Sequence, residues 1–258
     1  MDLTPRLLKI AQEIRPKEKV GDIGTDHGYL PIYLIKNHIA IEVIATDINE
    51  EPLNAAVKNI KNHGLQDYIK TKLGPGTIPL EEENLDVVII AGMGGKLIAE
   101  ILKNSNQLKN NVDRLILQPM QQQSELRRHL SEVGYCIDKD LLVEEGRRIY
   151  EILVVSLRQK QAPKSAVWTC ADQGNDNARE IKKNHPKVYD LYQELEMELG
   201  FKLFNNPSFL VEKFLDQKIN QMKKIIKETK GGTSEAALLM NERAQDKRKK
   251  LEEVKKCL

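Results

Sequence analysis

Residues 19–31, KVGDIGTDHGYLP, constrain this chain more than any other stretch. An apolar strand carrying Val20 and Ile23 runs into a turn holding Gly24 and Gly28, and a helix follows. Glycine has no Cβ, so such a turn is tight and lets a ligand come close to the backbone. Ligands of open α/β sheets bind beyond the carboxyl ends of the strands. Here the turn delivers two carboxylates to that place, Asp22 and Asp26. The pattern is not the G-x-G-x-x-G pyrophosphate fingerprint. Carboxylates where that fingerprint offers bare amides suit a cationic or hydroxyl-rich ligand better than a diphosphate.

The rest of the first 160 residues alternates strand with helix. Thr4-Pro5 reads as an N-cap with proline at the first helical position, and Leu7, Leu8, Ile10, Ala11 and Ile14 recur with helical period. A helix over 30–37, a β-branched strand over 41–46 ending on Asp47, a helix over 50–63 and a short strand over 69–73 follow. Residues 85–91, LDVVIIA, are the strongest strand signal; Gly92-Met93-Gly94-Gly95 and a helix over 96–102 come next. A strand over 112–117 closes on Gln118-Pro119, and a helix from about residue 121 leads to Gly134. Two β-rich runs, 135–143 and 149–157, are joined by a short turn. Alternation implies a parallel sheet with right-handed crossovers, and the closing pair an antiparallel hairpin at one edge. The predicted fold class is α/β, a doubly wound, Rossmann-like sheet, over residues 1–160.

Residues 161–258 follow a different rule. A polar, turn-rich linker is predicted over 159–177. Three apolar stripes then repeat at helical spacing: Val188, Tyr192, Leu195 and Leu199; Val211, Leu215, Ile219, Met222 and Ile226; Ala237, Met240, Ala244, Leu251 and Val254, with Lys247 as the weak point of a heptad. They predict an all-α, coiled-coil-like arm whose outer face is charged. The first 160 residues carry 21 basic and 23 acidic side chains and the remainder 19 and 15. A basic second half points weakly to nucleic acid. From charge alone, a solvated helical surface explains it better.

The composition, 40% hydrophobic and 30% charged, with no long apolar run, is that of a water-soluble protein rather than a membrane span. The amphipathic beginning does not resemble a secretory signal. Cys136, Cys170 and Cys257 form no C-x-x-C, which argues against a zinc site or a redox pair and fits a cytoplasmic protein. No cluster suggests a metal.

Asp47 stands where doubly wound folds place the acid that accepts both hydroxyls of a ribose; as a plainer role it caps the helix that begins beyond Asn49. Asp26 can accept a proton or orient an exocyclic amine, or simply cap its own helix. His27 and Tyr29 are open to either kind of role. Three glycines in Gly92-Met93-Gly94-Gly95 let something flat or bulky approach the strand end, beyond what a plain turn needs. Gln118 can pair with a base edge or serve as a loop amide.

In this order and spacing, DIGTDHGYLP, the strand-end Asp47, IIAGMGG and LILQP resemble the bacterial tRNA (adenine-N1)-methyltransferases that modify adenine 22 of the D-arm. The likeness runs over about residues 3–157 and extends to the tail, since that family also carries a C-terminal helical domain. It implies a class I fold with S-adenosylmethionine as cofactor. Asp22, Gly24, Thr25 and Gly28 would shape the methionine end of the pocket, Asp47 and Ile48 the ribose, Gly74 and Gly76 the adenine, and Ala91, Gly92 and Met93 the boundary with the target base. Asp26, with Gly92, Met93 and Gly94, would carry the catalytic role. Tyr29, Pro31, Gln118 and Pro119 would meet the base, and Arg6, Arg127, Arg128, Arg147 and the tail lysines the tRNA phosphates. The chain is expected to act on tRNA without metal or membrane, as a monomer. It departs from the family at Pro75, where an acid is usual between the two glycines, and at Met120, where LQPN is usual. A methyltransferase for another substrate and a non-catalytic RNA-binding protein of the same fold stay open beside this reading.

Overall fold

The computed structural model describes residues 2–105, 112–157 and 182–256. The chain divides into two compact units, Met1–Cys170 and Ala171–Leu258.

The first unit contains, in chain order, α1 (Pro5–Ala11), β1 (Glu18–Ile23), α2 (Tyr29–Lys36), β2 (Ala40–Asp47), α3 (Glu50–Asn62), β3 (Ile69–Leu73), β4 (Val87–Met93), α4 (Gly95–Lys103), β5 (Arg114–Pro119), α5 (Gln123–Val133), β6 (Tyr135–Glu145) and β7 (Arg148–Leu157). All seven strands form one sheet in the order β3-β2-β1-β4-β5-β7-β6. β1 pairs in parallel with both β2 and β4, and β4 with β5. β7 runs antiparallel to β5 and to β6. The doubly wound sheet and the edge hairpin are therefore present as the alternation implied. The side chains of Val87, Val88, Ile89 and Ile90 on β4 and Ile116 and Leu117 on β5 are wholly buried. Burial on both faces is what a parallel strand under two helical layers requires.

Two details differ from the expected boundaries. β4 continues through Gly92 to Met93 because an irregularity in its pairing with β5 lets Ala91 face Gln118 and Met93 face Pro119. The hairpin strands reach Glu145 and Arg148, leaving Gly146, at φ +62°, to make the turn. Cys136, on β6, is disulfide-bonded, although the lack of a C-x-x-C argues against a redox pair. No helix among the described residues is long and apolar enough to cross a membrane.

Buried ion pairs tie the hairpin and β5 to their neighbours. Arg114 reaches Glu18 through Nη2 at 2.6 and 2.7 Å. Arg127, on α5, is completely buried and bonds Asp140 at 2.8 Å and Glu151 at 2.6 Å. Burial opposes its charge, but the two carboxylates outweigh that and hold the guanidinium above its ordinary value. Arg127 is therefore not a phosphate contact; it neutralises two acids beneath α5.

Among its described residues, the second unit contains the helices α6 (Pro186–Leu199), α7 (Ser208–Thr229) and α8 (Glu235–Lys255). Tyr189, Tyr192, Leu195 and Leu199 form the buried stripe of α6, Val211, Phe214, Leu215, Ile219 and Met222 that of α7, and Ala244, Leu251 and Val254 that of α8. The predicted stripe fails at the start of α8, where Met240 is 50% exposed. Lys247 breaks no apolar seam, because it pairs with Glu198 of α6. The predicted linker lies outside the described residues.

Removing one partner of a buried ionic cluster leaves an uncompensated charge, a loss of about 3–5 kcal/mol. Arg127→Met is expected to lower the urea-unfolding free energy by that order. An Arg127→Met variant of native stability but weakened tRNA binding would restore the phosphate-contact role.

Candidate active site

Because the strand order reverses at β1, the carboxyl ends of β1 and β4 diverge and leave a crevice. It is a cavity of about 590 Å³ walled by the turn after β1, the ends of β2 and β4, the loop 74–76, the start of α4 and Arg6 of α1.

The turn is fixed to the neighbouring strand. The amides of Gly24 and Thr25 both donate to the Thr46 carbonyl, at 2.8 and 2.9 Å. Gly24 has φ +77°, a conformation that side chains rarely adopt, and a Cβ there would displace the Met93 methyl group 2.4 Å away, so this position favours glycine. Its neighbour His27 also takes a left-handed conformation, φ +58°, held by Asn59 Nδ2 donating to its carbonyl at 2.9 Å. That geometry stacks the His27 ring on Tyr29, centroids 5.4 Å apart, and brings His27 Nε2 to 3.2 Å from Asp26. Asp26 stands at the mouth with 80% of its side chain exposed.

The two strand-end acids lie deeper. Asp22 is 6% exposed and Asp47 9%. Burial pushes the Asp22 carboxyl up to about 6; a hydrogen bond with Thr25 opposes the rise and the Asp47 charge adds to it. Asp47 accepts the Asn49 amide at 2.8 Å through Oδ1, so it does turn the chain toward α3 while also lining the cavity. A cationic group arriving near Asp22 would relieve the repulsion that burial and Asp47 create. On the opposite wall Arg6 bonds Gln118 at 2.7 Å and lies 5.6 Å from the Tyr150 ring centre. Among the described residues its guanidinium meets no carboxylate.

The cavity brings together Asp22, Gly24, Thr25, Asp26, Tyr29, Asp47, Ile48, Gly74, Gly76, Ala91, Gly92, Met93 and Arg6 of the residues singled out from sequence. Others have different work. Gly28 faces Ala56 of α3, where a Cβ would approach to 3.2 Å, so it serves helix packing rather than a cofactor. Pro31 is buried within α2. Gly94 is the N-cap of α4, near Gln121 and Gln122, outside the lining. Gln118 is fully buried, its amide already engaged, so it cannot read a base edge; Pro119 is buried too. Arg128 is exposed on α5, paired with Glu125 and away from the cavity lining. The sequence reading passed over Leu97 and Ile101, which line the cavity from α4. Their four-residue spacing, directly after the glycine loop, was the available signal. Met120, noted only as a departure, lines it as well.

Sheet order, crevice and paired strand-end acids place the chain in the doubly wound class, with a crevice suited to a nucleoside-bearing cofactor. A family described as "Methyltransferase domain" matches residues 3–153. The chain is 34% identical to the tRNA (adenine(22)-N(1))-methyltransferase of Bacillus subtilis over 162 residues, 63% of this chain and 68% of that protein. The crystal structure of the B. subtilis M1A22 tRNA methyltransferase TrmK is 27% identical, with a TM-score of 0.75 over 98% of this chain and 99% of that one. M. capricolum TrmK, solved with S-adenosyl-homocysteine, is 27% identical with a TM-score of 0.73 over 98% and 99%. The chain belongs to the tRNA (adenine(22)-N(1))-methyltransferase family within the methyltransferase-domain proteins.

An acid whose value is raised in the folded state stabilises the fold below its unfolded value and loses that contribution as pH climbs through the folded one. For Asp22 the window runs from 3.8 to about 6. The ligand-free protein should therefore lose stability across that window relative to Asp22→Asn, with the difference flat above it. Parallel urea curves for the two proteins between pH 4 and 8 check this, and an unchanging difference would refute it.

Proposed function

We propose that this chain transfers the methyl group of S-adenosylmethionine to N1 of adenine 22 in the D-arm of tRNA. The observation that carries the reading is the cavity itself: two buried carboxylates at adjacent strand ends beside a glycine-walled opening. Those residues fit the cofactor. Asp22 suits the positive charge of its methionine end and Asp47 the ribose hydroxyls. Ile48, Leu97, Ile101 and Pro75 give the apolar lining that an adenine ring needs. The acid usual at position 75 is thus exchanged for a ring surface, with Gly74 held in place by its amide donating to the Asp47 carbonyl at 2.9 Å. When bound, S-adenosylmethionine supplies an electrophilic methyl group on a sulfonium.

Adenine N1 carries its own lone pair, so the chain has to align the base rather than deprotonate it. N1 lies on the Watson–Crick edge, and the base must leave its stack to present that edge. Tyr29, 44% exposed and backed by the His27 ring, offers it a face at the mouth. Methylated N1 makes the ring cationic. Asp26, beside that opening, can offset the charge or accept the N6 proton. Gly92 leaves open space where a side chain would otherwise obstruct the base. The helical unit, with its many lysines, supplies phosphate contacts from its outer face, and binding there should weaken steeply with salt. A tRNA substrate places the protein in the cytoplasm.

The first test is label transfer from S-adenosylmethionine to unmodified tRNA transcripts, with an adenine-22 substitution as control. Label lost with the substitution supports both reaction and base. Label retained means another base or substrate, and no cofactor binding means a non-catalytic RNA-binding protein.

Asp26→Ala should lower kcat more than about tenfold, the usual scale for a positioned acid–base group, while cofactor affinity changes less. Equal loss of both would assign Asp26 to the cofactor instead. Cofactor affinity should in addition fall as pH drops below about 6, where Asp22 takes up its proton, and titration calorimetry would show whether Asp22→Asn removes that dependence.

A further inference from the structure

The pairing of β4 with β5 skips one residue. Ala91 faces Gln118 and Met93 faces Pro119, which leaves Gly92 as a bulge outside the ladder. Bulges commonly re-aim the backbone beside active sites. A bulged amide has lost its strand partner, and a backbone donor inside a protein needs another. Gln118 provides it: Oε1 accepts the Gly92 amide at 3.1 Å. The same oxygen accepts Arg6 Nη1 at 2.7 Å. On the other side of the carboxamide, Nε2 donates to the Pro119 carbonyl at 3.0 Å and to Met120 Sδ at 3.6 Å. The side chain is completely buried, and these four partners fix the orientation of its carboxamide.

Gly92 itself is exposed to the cavity with φ +80°, and no heavy atom lies within 4 Å of where its Cβ would be. Without an anchor it would be the most compliant point of the wall, since glycine has the widest conformational freedom. The anchor is itself braced. Arg6 is held by its backbone amide, which donates to Glu145 Oε2 at 2.9 Å, and by the Tyr150 ring under its guanidinium. Contacts thus run from the β6–β7 hairpin through Arg6 and Gln118 to the open face of Gly92.

We infer that Gln118 is a positioning residue for the transfer, fixing the Gly92 bulge against which the target base is aligned, and that Arg6 locks Gln118 in that orientation. The inference rests on the methyl-transfer reading above. Gln118 touches neither cofactor nor base in this role; it acts through Gly92. An error of about 1 Å in alignment can lower a rate by 10²-fold.

The test compares Gln118→Met, which keeps the volume and removes the acceptor, with Gln118→Glu, which keeps an oxygen for both Gly92 and Arg6. Three quantities are read for each: the exchange rate of the Gly92 amide by NMR, kcat and KM with tRNA, and cofactor Kd. Gln118→Met should accelerate Gly92 exchange and lower kcat by roughly 10- to 100-fold, with KM and Kd within about threefold. Gln118→Glu should restore slow exchange and only part of kcat, because its second oxygen must face the Pro119 carbonyl to which Nε2 now donates at 3.0 Å. Arg6→Met should give a smaller loss that does not add to that of Gln118→Met, and it serves if the latter fails to fold. Slow Gly92 exchange retained in Gln118→Met, or fast exchange there without loss of kcat, would overturn the assignment. Wild-type protein that transfers no methyl to tRNA would sink the functional reading, while Gly92 exchange would still report on the anchor.

Discussion

The parallel pairing of β1 with strands on both sides is the constraint on which the site depends. Asp22 lies opposite Ala45 of β2 and Ile89 of β4, deep in a sheet whose centre excludes water. The ladder to β2 does not stop where β1 stops: the Thr46 carbonyl goes on to hold the amides of Gly24 and Thr25. The turn thus inherits the rigidity of the sheet, and Asp26 and His27 are presented from fixed backbone. Shift that register by one residue and every side chain at the strand end exchanges faces.

Much of this was legible from sequence, because the central strands advertise themselves. Runs such as LDVVIIA have no polar alternation, and only a strand covered on both faces accommodates them. Acids and glycines at the ends of those runs then fall at the crevice by topology alone. What sequence could not reveal was whether a polar side chain faces solvent or protein. Arg127 and Arg128 are adjacent on one helix, yet the first is wholly buried with two acids and the second is exposed beside Glu125. Their identity is the same; the helix phase relative to Asp140 and Glu151, some distance along the chain, separates them. Gly28 and Gly94 were misassigned for a related reason. A glycine that clears space for a ligand and one that clears space for a helix carry the same letter, and only Ala56 behind Gly28 tells which it is.

The GMGG loop shows how one motif divides into separate physical demands. Gly92 needs its positive φ to make the bulge and leaves open space above it. Gly95 needs no unusual torsion; a Cβ there would collide with the Gln122 carbonyl at 2.3 Å. One glycine serves the cavity and the other the close approach of the loop after β5. Read as a single signal, the motif pointed to the right wall of the pocket but overstated how much of it faces a ligand.

Asp22 and Asp26 differ in chemistry because they differ in solvent. Buried at the floor, Asp22 resists ionisation, so a bound cation is worth more to it than water is. Asp26, in the open, interacts through a high dielectric, where a lone ion pair is weak. For Asp26 to act strongly on a base, the base itself must displace the water around it. A stacked target against Tyr29 and His27 would do that, lowering the local dielectric only when the substrate is seated. The deep acid is therefore tuned by the fold before any ligand arrives. The outer one would gain strength only from a substrate that covers it.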